Sequence, residues 1–220
     1  AYELCKKGFR TVNVDSGPHA GNGSALQSSG VIQNYCSHVE NAELAHESVQ
    51  LWKNWADYLE SPPPTEARNL ATFKCTGSVL LKTPLASSFL SRAEKNMKQL
   101  GVDYEHWSTD HCIDQLALLD LSLDTPSGNF EISAGASRIA NMSGALFLPE
   151  TGRVDSELLV AKNLQEAAER KGAIFLFGSS VSEIMQMRGR CCGVRIAGAG
   201  TIWTPIVVNA AGPKATEVQN

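Results

Sequence analysis

The run Val207-Val208-Asn209-Ala210-Ala211-Gly212-Pro213 constrains the fold more than any other stretch of this 220-residue chain. β-Branched residues leading without interruption into small ones predict a buried parallel strand that opens on a tight turn. In open α/β sheets, ligands sit beyond the carboxyl ends of the strands, where small residues let the backbone approach a nucleotide closely. Buried strands ending in glycine are also common for packing reasons alone. The rest of the chain has to carry the assignment.

At the other end, Ala1-Tyr2-Glu3-Leu4-Cys5-Lys6-Lys7-Gly8 reads as the last two turns of a helix stopped by Gly8. The strand Phe9-Arg10-Thr11-Val12-Asn13-Val14-Asp15 follows and closes on an acid. A helix, a glycine, a strand and a terminal acid form the back half of a dinucleotide-binding βαβ unit, whose acid accepts from a ribose hydroxyl. An ordinary strand-end aspartate capping a turn is the alternative. The glycine motif of such a unit would stand before Ala1, and the chain opens inside an element, so an incomplete protein is expected.

The next stretch, from Ser16 to Gly30, is dense in glycine, serine and other small residues. Its free backbone N–H groups and hydroxyls suit a phosphate or a ring edge. Flexible-linker composition is the other reading, but Val31-Ile32 resume an apolar pattern at once, which sets the loop inside a folded unit. From Asn41 to Leu59 the spacing predicts one helix, with Leu44, Val49, Leu51, Trp52, Trp55 and Leu59 as its apolar face. Ser61-Pro62-Pro63-Pro64-Thr65 predicts a break and an exposed linker.

Further on, Thr76 to Lys82 predicts a strand and Phe89 to Leu100 an amphipathic helix ended by Gly101, while residues 103–140 read as irregular. Gly144 to Pro149 predicts a strand, and Glu150-Thr151-Gly152-Arg153 a turn. Asp155 is the expected cap of a helix from Ser156 to Lys171, with Leu158, Leu159, Leu164 and Ala168 on its apolar face. Ala173 to Phe177 predicts a continuous buried strand. A three-stranded meander follows (Val181 to Met187, Cys191 to Ala197, Thr201 to Trp203) and feeds the strand from Ile206 to Ala210.

Composition narrows the partners. A net charge of −4 gives no reason to expect nucleic acid or an anionic membrane surface, and no apolar run reaches the length of a transmembrane span. The six cysteines, Cys5, Cys36, Cys75, Cys112, Cys191 and Cys192, contain no C-x-x-C pair and read as reduced thiols of a cytoplasmic protein. No metal site is expected, since closely paired ligands are lacking and His111-Cys112 is only a dipeptide.

The order of elements, with Gly152-Arg153-Val154-Asp155 through Gly172-Ala173, then Val181, then Val207 to Pro213, resembles the FAD-dependent oxidoreductases of the D-amino-acid oxidase superfamily. The sarcosine oxidase, glycine oxidase and dimethylglycine dehydrogenase group is the nearest likeness. The resemblance implies a mixed α/β (α+β) fold. Residues 1–73 and 150–220 would form a Rossmann-like FAD-binding domain with a β-meander, and residues 74–149 part of a substrate lobe with an antiparallel or mixed sheet. It implies that Asp15 binds the adenosine ribose and that Ser16 beside it is a cofactor-binding residue. Gly23, Ser24, Ser28, Ser29 and Gly30 would lie along the pyrophosphate and beside the flavin ring, with Val181 at the adenine. Ala210, Ala211 and Gly212 would approach the cofactor where the second strand ends.

What the resemblance implies chemically is oxidation of the C–N bond of a secondary amine or amino acid by hydride transfer to the flavin, which accepts the electrons. The implied partners are a small amine or amino-acid substrate and a partner chain or homo-oligomer. Where the group has Ile-Arg after the small-residue loop, this chain has Ile32-Gln33, which removes a charge near the cofactor. No catalytic residue carries over, and Arg138 and His111 read as structural or solvated before they read as substrate contacts. Two alternatives stay open. One is a dehydrogenase of a hydroxy compound such as glycerol phosphate or a 2-hydroxy acid; phosphate recognition would call for a basic cluster, and residues 74–149 show none, which argues against that variant. The other is a non-catalytic fragment or subunit that works through a partner chain.

Overall fold

A computed structural model describes residues 1–61, 69–116 and 142–219. In chain order its elements begin with α1 (Tyr2–Lys6), β1 (Val12–Val14), a 3-10 turn (Ser24–Gln27), β2 (Val31–Ile32), α2 (Val39–Lys53) and α3 (Trp55–Tyr58). Next come β3 (Phe73–Cys75), β4 (Ser78–Leu81), α4 (Ser87–Leu100), β5 (Glu105–Trp107), α5 (Thr109–Gln115), β6 (Ala145–Leu148) and β7 (Gly152–Val154). The remainder is α6 (Glu157–Arg170), β8 (Ile174–Leu176), β9 (Val181–Met187), β10 (Arg190–Ile196), β11 (Gly200–Trp203), a second 3-10 turn (Gly212–Lys214) and α7 (Ala215–Gln219). The mixed α/β class read from the sequence is the class observed. Two compact units divide the chain, one from residues 1–28, 59–71 and 156–220, the other from 29–58 and 72–155. Residues 29–58 thus group with the second unit, although the sequence drew its first boundary after residue 73.

In the first unit, β1 pairs in parallel with β8, Val12 facing Ile174 and Val14 facing Leu176. Antiparallel β9, β10 and β11 form the expected meander in the order β11-β10-β9. Helix α1 stops as the sequence predicts: Gly8 takes a φ of +83° and donates its N–H to Cys5 O. Helix α6 packs beside α1, whose Tyr2 and Cys5 are buried. At its far end Arg170 donates to Leu59 O, and Lys171 pairs with Glu60 at 2.7 Å.

Three expectations in this unit need correction. The segment from Ile206 to Ala210 is not a buried strand: it joins no ladder among the described residues, and Ile206 and Val208 are 67% and 70% exposed. β-Branched composition favours a strand only where a neighbouring strand supplies the hydrogen bonds. The strand at residues 173–177 is not buried throughout, since Ile174 at the β8 edge is 55% exposed. The cap of α6 is Ser156 rather than Asp155: Ser156 is extended (φ −157°, ψ 110°) and its hydroxyl accepts from Leu159 N–H.

The second unit holds two antiparallel sheets, β2-β7-β3 and β4-β6-β5. Its core is Leu90 and Met97 of α4 with Val102, Leu146 and Leu148, flanked by Tyr35, Leu80 and Tyr104. α4 ends at Gly101 as expected, in the left-handed region. The single helix predicted over residues 41–59 is instead α2 and α3. Asn54 breaks it with a ψ of 39°, and only Val49, Trp55 and Leu59 of the predicted face are buried, while Leu44 is 66% exposed. Within residues 103–116, read as irregular, lie β5 and α5. The predicted turn at 150–153 runs directly into β7, the central strand of its sheet. The proline stretch 62–64 lies outside the described residues.

Asp155 acts as a strand clasp. Its Oδ1 accepts from Thr72 N–H at 2.9 Å, and its own N–H donates to Thr72 O at 3.1 Å. The Thr72 N–H holds the carboxyl below the usual carboxylate range, against the opposing effect of desolvation. A folded-state value below the unfolded one adds stability at pH values above the unfolded value, about 4, and that stability is lost as pH falls through the folded value. Wild type is therefore expected to lose more of its urea midpoint between pH 5 and pH 3 than Asp155→Asn does. Parallel pH profiles for the two proteins would refute this clasp.

Candidate functional site

The carboxyl end of β1 gathers the first group of site residues. Ladder bonds continue past the strand: Asp15 N–H donates to Leu176 O, Ser179 N–H to Asp15 O, and Gly178 N–H to Gly17 O, all within 3.0 Å. The run that leads into Val181 at the start of β9 therefore lies against Asp15, Ser16 and Gly17. Asp15 Oδ1 also accepts from Gly17 N–H at 2.7 Å, which turns the chain sharply out of the strand. These bonds engage Oδ1 and backbone groups of Asp15, while Oδ2 remains as an acceptor.

The small-residue loop is ordered around α6. Gly21 takes a φ of +80°, and a Cβ there would stand 2.7 Å from Ala161 Cβ, so only glycine lets the loop settle on this helix. Leu26 N–H donates to Gly21 O and Gly23 O, and Ser28 N–H to Ala25 O, which winds Ser24–Gln27 into the 3-10 turn. Gly23, Ser24 and Ser28 lie exposed along this turn. Ser29 and Gly30 belong to the second unit, where buried Gly30 has a φ of +65° and its carbonyl accepts from Val154 N–H.

The bonds described for the last group, Ala210, Ala211 and Gly212, are local. Ala211 N–H donates to Asn209 Oδ1, and Asn209 Nδ2 to Ala215 O, so the small residues form a turn that starts the second 3-10 turn and α7. Helix α7 packs beside β9. The structure thus joins Asp15, Ser16 and the approach to Val181 directly, and sets 210–212 in a separate turn of the same unit. It brings out one residue the sequence reading passed over, Asn22, whose side chain flanks Gly17.

His111 sets its ring edge-on to Trp107 at 4.8 Å. Burial pushes the thiol of Cys112 up and that of Cys36 up as well. All six cysteines are unpaired. Arg138 lies outside the described residues. No helix among the described residues is long and apolar enough to cross a membrane.

The site thus consists of an acid at the end of a strand, its neighbour strand's exit bonded to it, and a loop rich in glycine and serine whose Gly23, Ser24 and Ser28 are exposed. Solved structures share this fold. L-proline dehydrogenase from P. horikoshii superposes with a TM-score of 0.76 at 21% identity, covering 99% of this chain and 50% of that one. Glycine oxidase from Geobacillus kaustophilus gives 0.72 at 20% identity, with 99% and 52% covered. L-amino acid deaminase from Proteus vulgaris gives 0.65 at 19%, with 97% and 44% covered. The chain spans about half the length of these solved structures. A search of curated proteins found no match. The model of the FAD dependent oxidoreductase family (DAO), however, matches residues 1–220. With the whole chain matched and the fold shared, the protein belongs to the FAD-dependent oxidoreductases of this family.

Proposed function

We propose that the chain binds FAD as part of an oxidoreductase that oxidises the C–N bond of a secondary amine or amino acid. The observation that carries this reading is the bonded junction of Asp15, Gly17, Gly178 and Ser179 at the carboxyl ends of parallel β1 and β8. In it Asp15 and Ser16 hold the adenosine ribose, with Val181 beside the adenine. Gly23, Ser24, Ser28, Ser29 and Gly30 are the residues assigned to the pyrophosphate and the ring, and Ala210, Ala211 and Gly212 leave room for close backbone approach. When bound, FAD supplies the acceptor for a hydride from the carbon beside the amine nitrogen.

The substrate class is supported by the names of the similar structures, a proline dehydrogenase, a glycine oxidase and an amino acid deaminase. The six unpaired thiols support a cytoplasmic setting. A partner chain or second copy belongs to the same reading, since Val12, Ile174, Ile206 and Val208 are exposed apolar side chains.

The visible absorption spectrum of the purified protein, taken with its intact mass, tests the reading. Flavin bands released by denaturation are the expected result, followed by bleaching with one of sarcosine, dimethylglycine, glycine, L-proline or a D-amino acid. A colourless protein of the mass of these 220 residues that fails to bind added FAD would overturn it for this chain.

A further inference from the structure

We propose that Asn22 is the second polar arm of the ribose site that Asp15 opens, the two side chains together holding the vicinal diol of the adenosine half of FAD. The inference rests on the FAD reading above and adds a residue that reading does not contain. It starts from what surrounds Gly17. A Cβ placed on Gly17 would lie 3.1 Å from Asp15 Oδ1, 3.2 Å from Asn22 Nδ2 and 3.3 Å from Asn22 Cβ. The carboxylate and the carboxamide thus converge on one point beside the strand exit, although six residues separate them in the chain.

The chemistry of the pair fits adjacent hydroxyls. Asp15 Oδ1 is committed to Gly17 N–H, which fixes the carboxylate plane and leaves Oδ2 to accept one hydroxyl proton. An ionised carboxylate only accepts, whereas a carboxamide can donate to one hydroxyl oxygen and accept from another. Two acids here would repel each other, and one acid with one amide can satisfy both hydroxyls as donors and acceptors. Gly17 is what lets the arms come this close. A methyl group there is tighter against all three atoms than ordinary contacts allow, so either the turn or the two arms must yield.

Flavin-free full-length protein titrated with FAD, followed by quenching of flavin fluorescence, tests the proposal. The same titration is run with FAD analogues whose adenosine ribose lacks the 2′- or the 3′-hydroxyl. Wild type is expected to prefer FAD over at least one analogue. Asn22→Ala is expected to weaken FAD binding about three- to tenfold, the effect of one neutral hydrogen bond, and to bring its preference for one hydroxyl close to parity. The melting temperature of the flavin-free variant should match wild type, because Asn22 is exposed. Gly17→Ala, which presses on both arms, should weaken FAD binding in the same direction.

If Asn22→Ala keeps the wild-type affinity and the wild-type preference while Asp15→Ala loses affinity, the role of Asn22 is wrong and the FAD site stands. A lowered melting temperature with unchanged preference would also sink it, as the mark of a purely structural side chain. If wild type binds no FAD, the proposal falls together with the function it rests on.

Discussion

Replacing Gly152 by alanine is expected to unfold the unit built from residues 29–58 and 72–155. Gly152 is the first residue of β7, paired with Ile32 of β2 on one side and with Cys75 of β3 on the other. A Cβ at this position would stand 2.0 Å from Lys74 O and 2.9 Å from its carbonyl carbon. Both are backbone atoms of the neighbouring strand and cannot rotate away, so β3 and β7 would have to separate. Overpacking that side chains can absorb costs about 1–3 kcal/mol. A clash between two backbones exceeds that range and competes with a total stability of about 5–15 kcal/mol. Tryptophan emission reads the outcome, since Trp52, Trp55 and Trp107 all lie in this unit and Trp203 is already 69% exposed. Gly152→Ala should show red-shifted emission without denaturant. Gly101→Ala is the control: its φ is +69° with nothing within 4 Å of the new Cβ, so it should cost about 1–2 kcal/mol of backbone strain and leave the emission native. A Gly152→Ala protein with native emission and an unchanged urea midpoint would show that the strands can part at little cost.

The same glycine shows what the sequence made legible and what it hid. Glu150-Thr151-Gly152-Arg153 has the composition of a turn, and the chain does turn at Glu150 before β7 begins at Gly152. A glycine in an extended segment also marks a place where another backbone comes close, but the identity of that backbone, Lys74, is 78 residues away and is a property of the fold. Local signals were read well where they act locally, as at the stop of α1 by Gly8 and of α4 by Gly101. They failed where a ladder was needed: the Val207-Val208 run has the right residues for a strand and no paired neighbour among those described. In the candidate site, the position of Asp15 at the exit of β1 was legible because an acid closing an alternating strand is a local pattern. The place of Asn22 was not, because its approach to Gly17 is a contact of the folded chain, and inside a glycine-serine loop it looks like any other turn residue.

Replacing Asn163 by leucine is expected to destabilise the first unit by about 2–4 kcal/mol, although leucine is the better helix former and the more apolar side chain. Asn163 sits in α6 and is only 3% exposed. Its Oδ1 accepts from Ala71 N–H at 2.9 Å, and its Nδ2 donates to Asn69 O at 3.0 Å. The carboxamide thereby pairs both polar groups of a backbone segment that no strand satisfies there, and Ala71 is itself 4% exposed. Leucine keeps roughly the volume and leaves a buried N–H without its partner, which costs more than the hydrogen bond contributed. The sequence set Leu158, Leu159, Leu164 and Ala168 on the buried face of this helix. The residues buried are Asn163, Ala167 and Ala168, with Leu158 38% exposed. Periodicity points a helix by its apolar residues, but α6 lies beside α1 and the 69–71 segment, where small residues permit close approach and an amide serves the unpaired backbone. Urea denaturation followed by circular dichroism at 222 nm should give a lower midpoint for Asn163→Leu than for wild type. A midpoint at or above wild type would mean that the 69–71 backbone finds other partners and that Asn163 is not its brace.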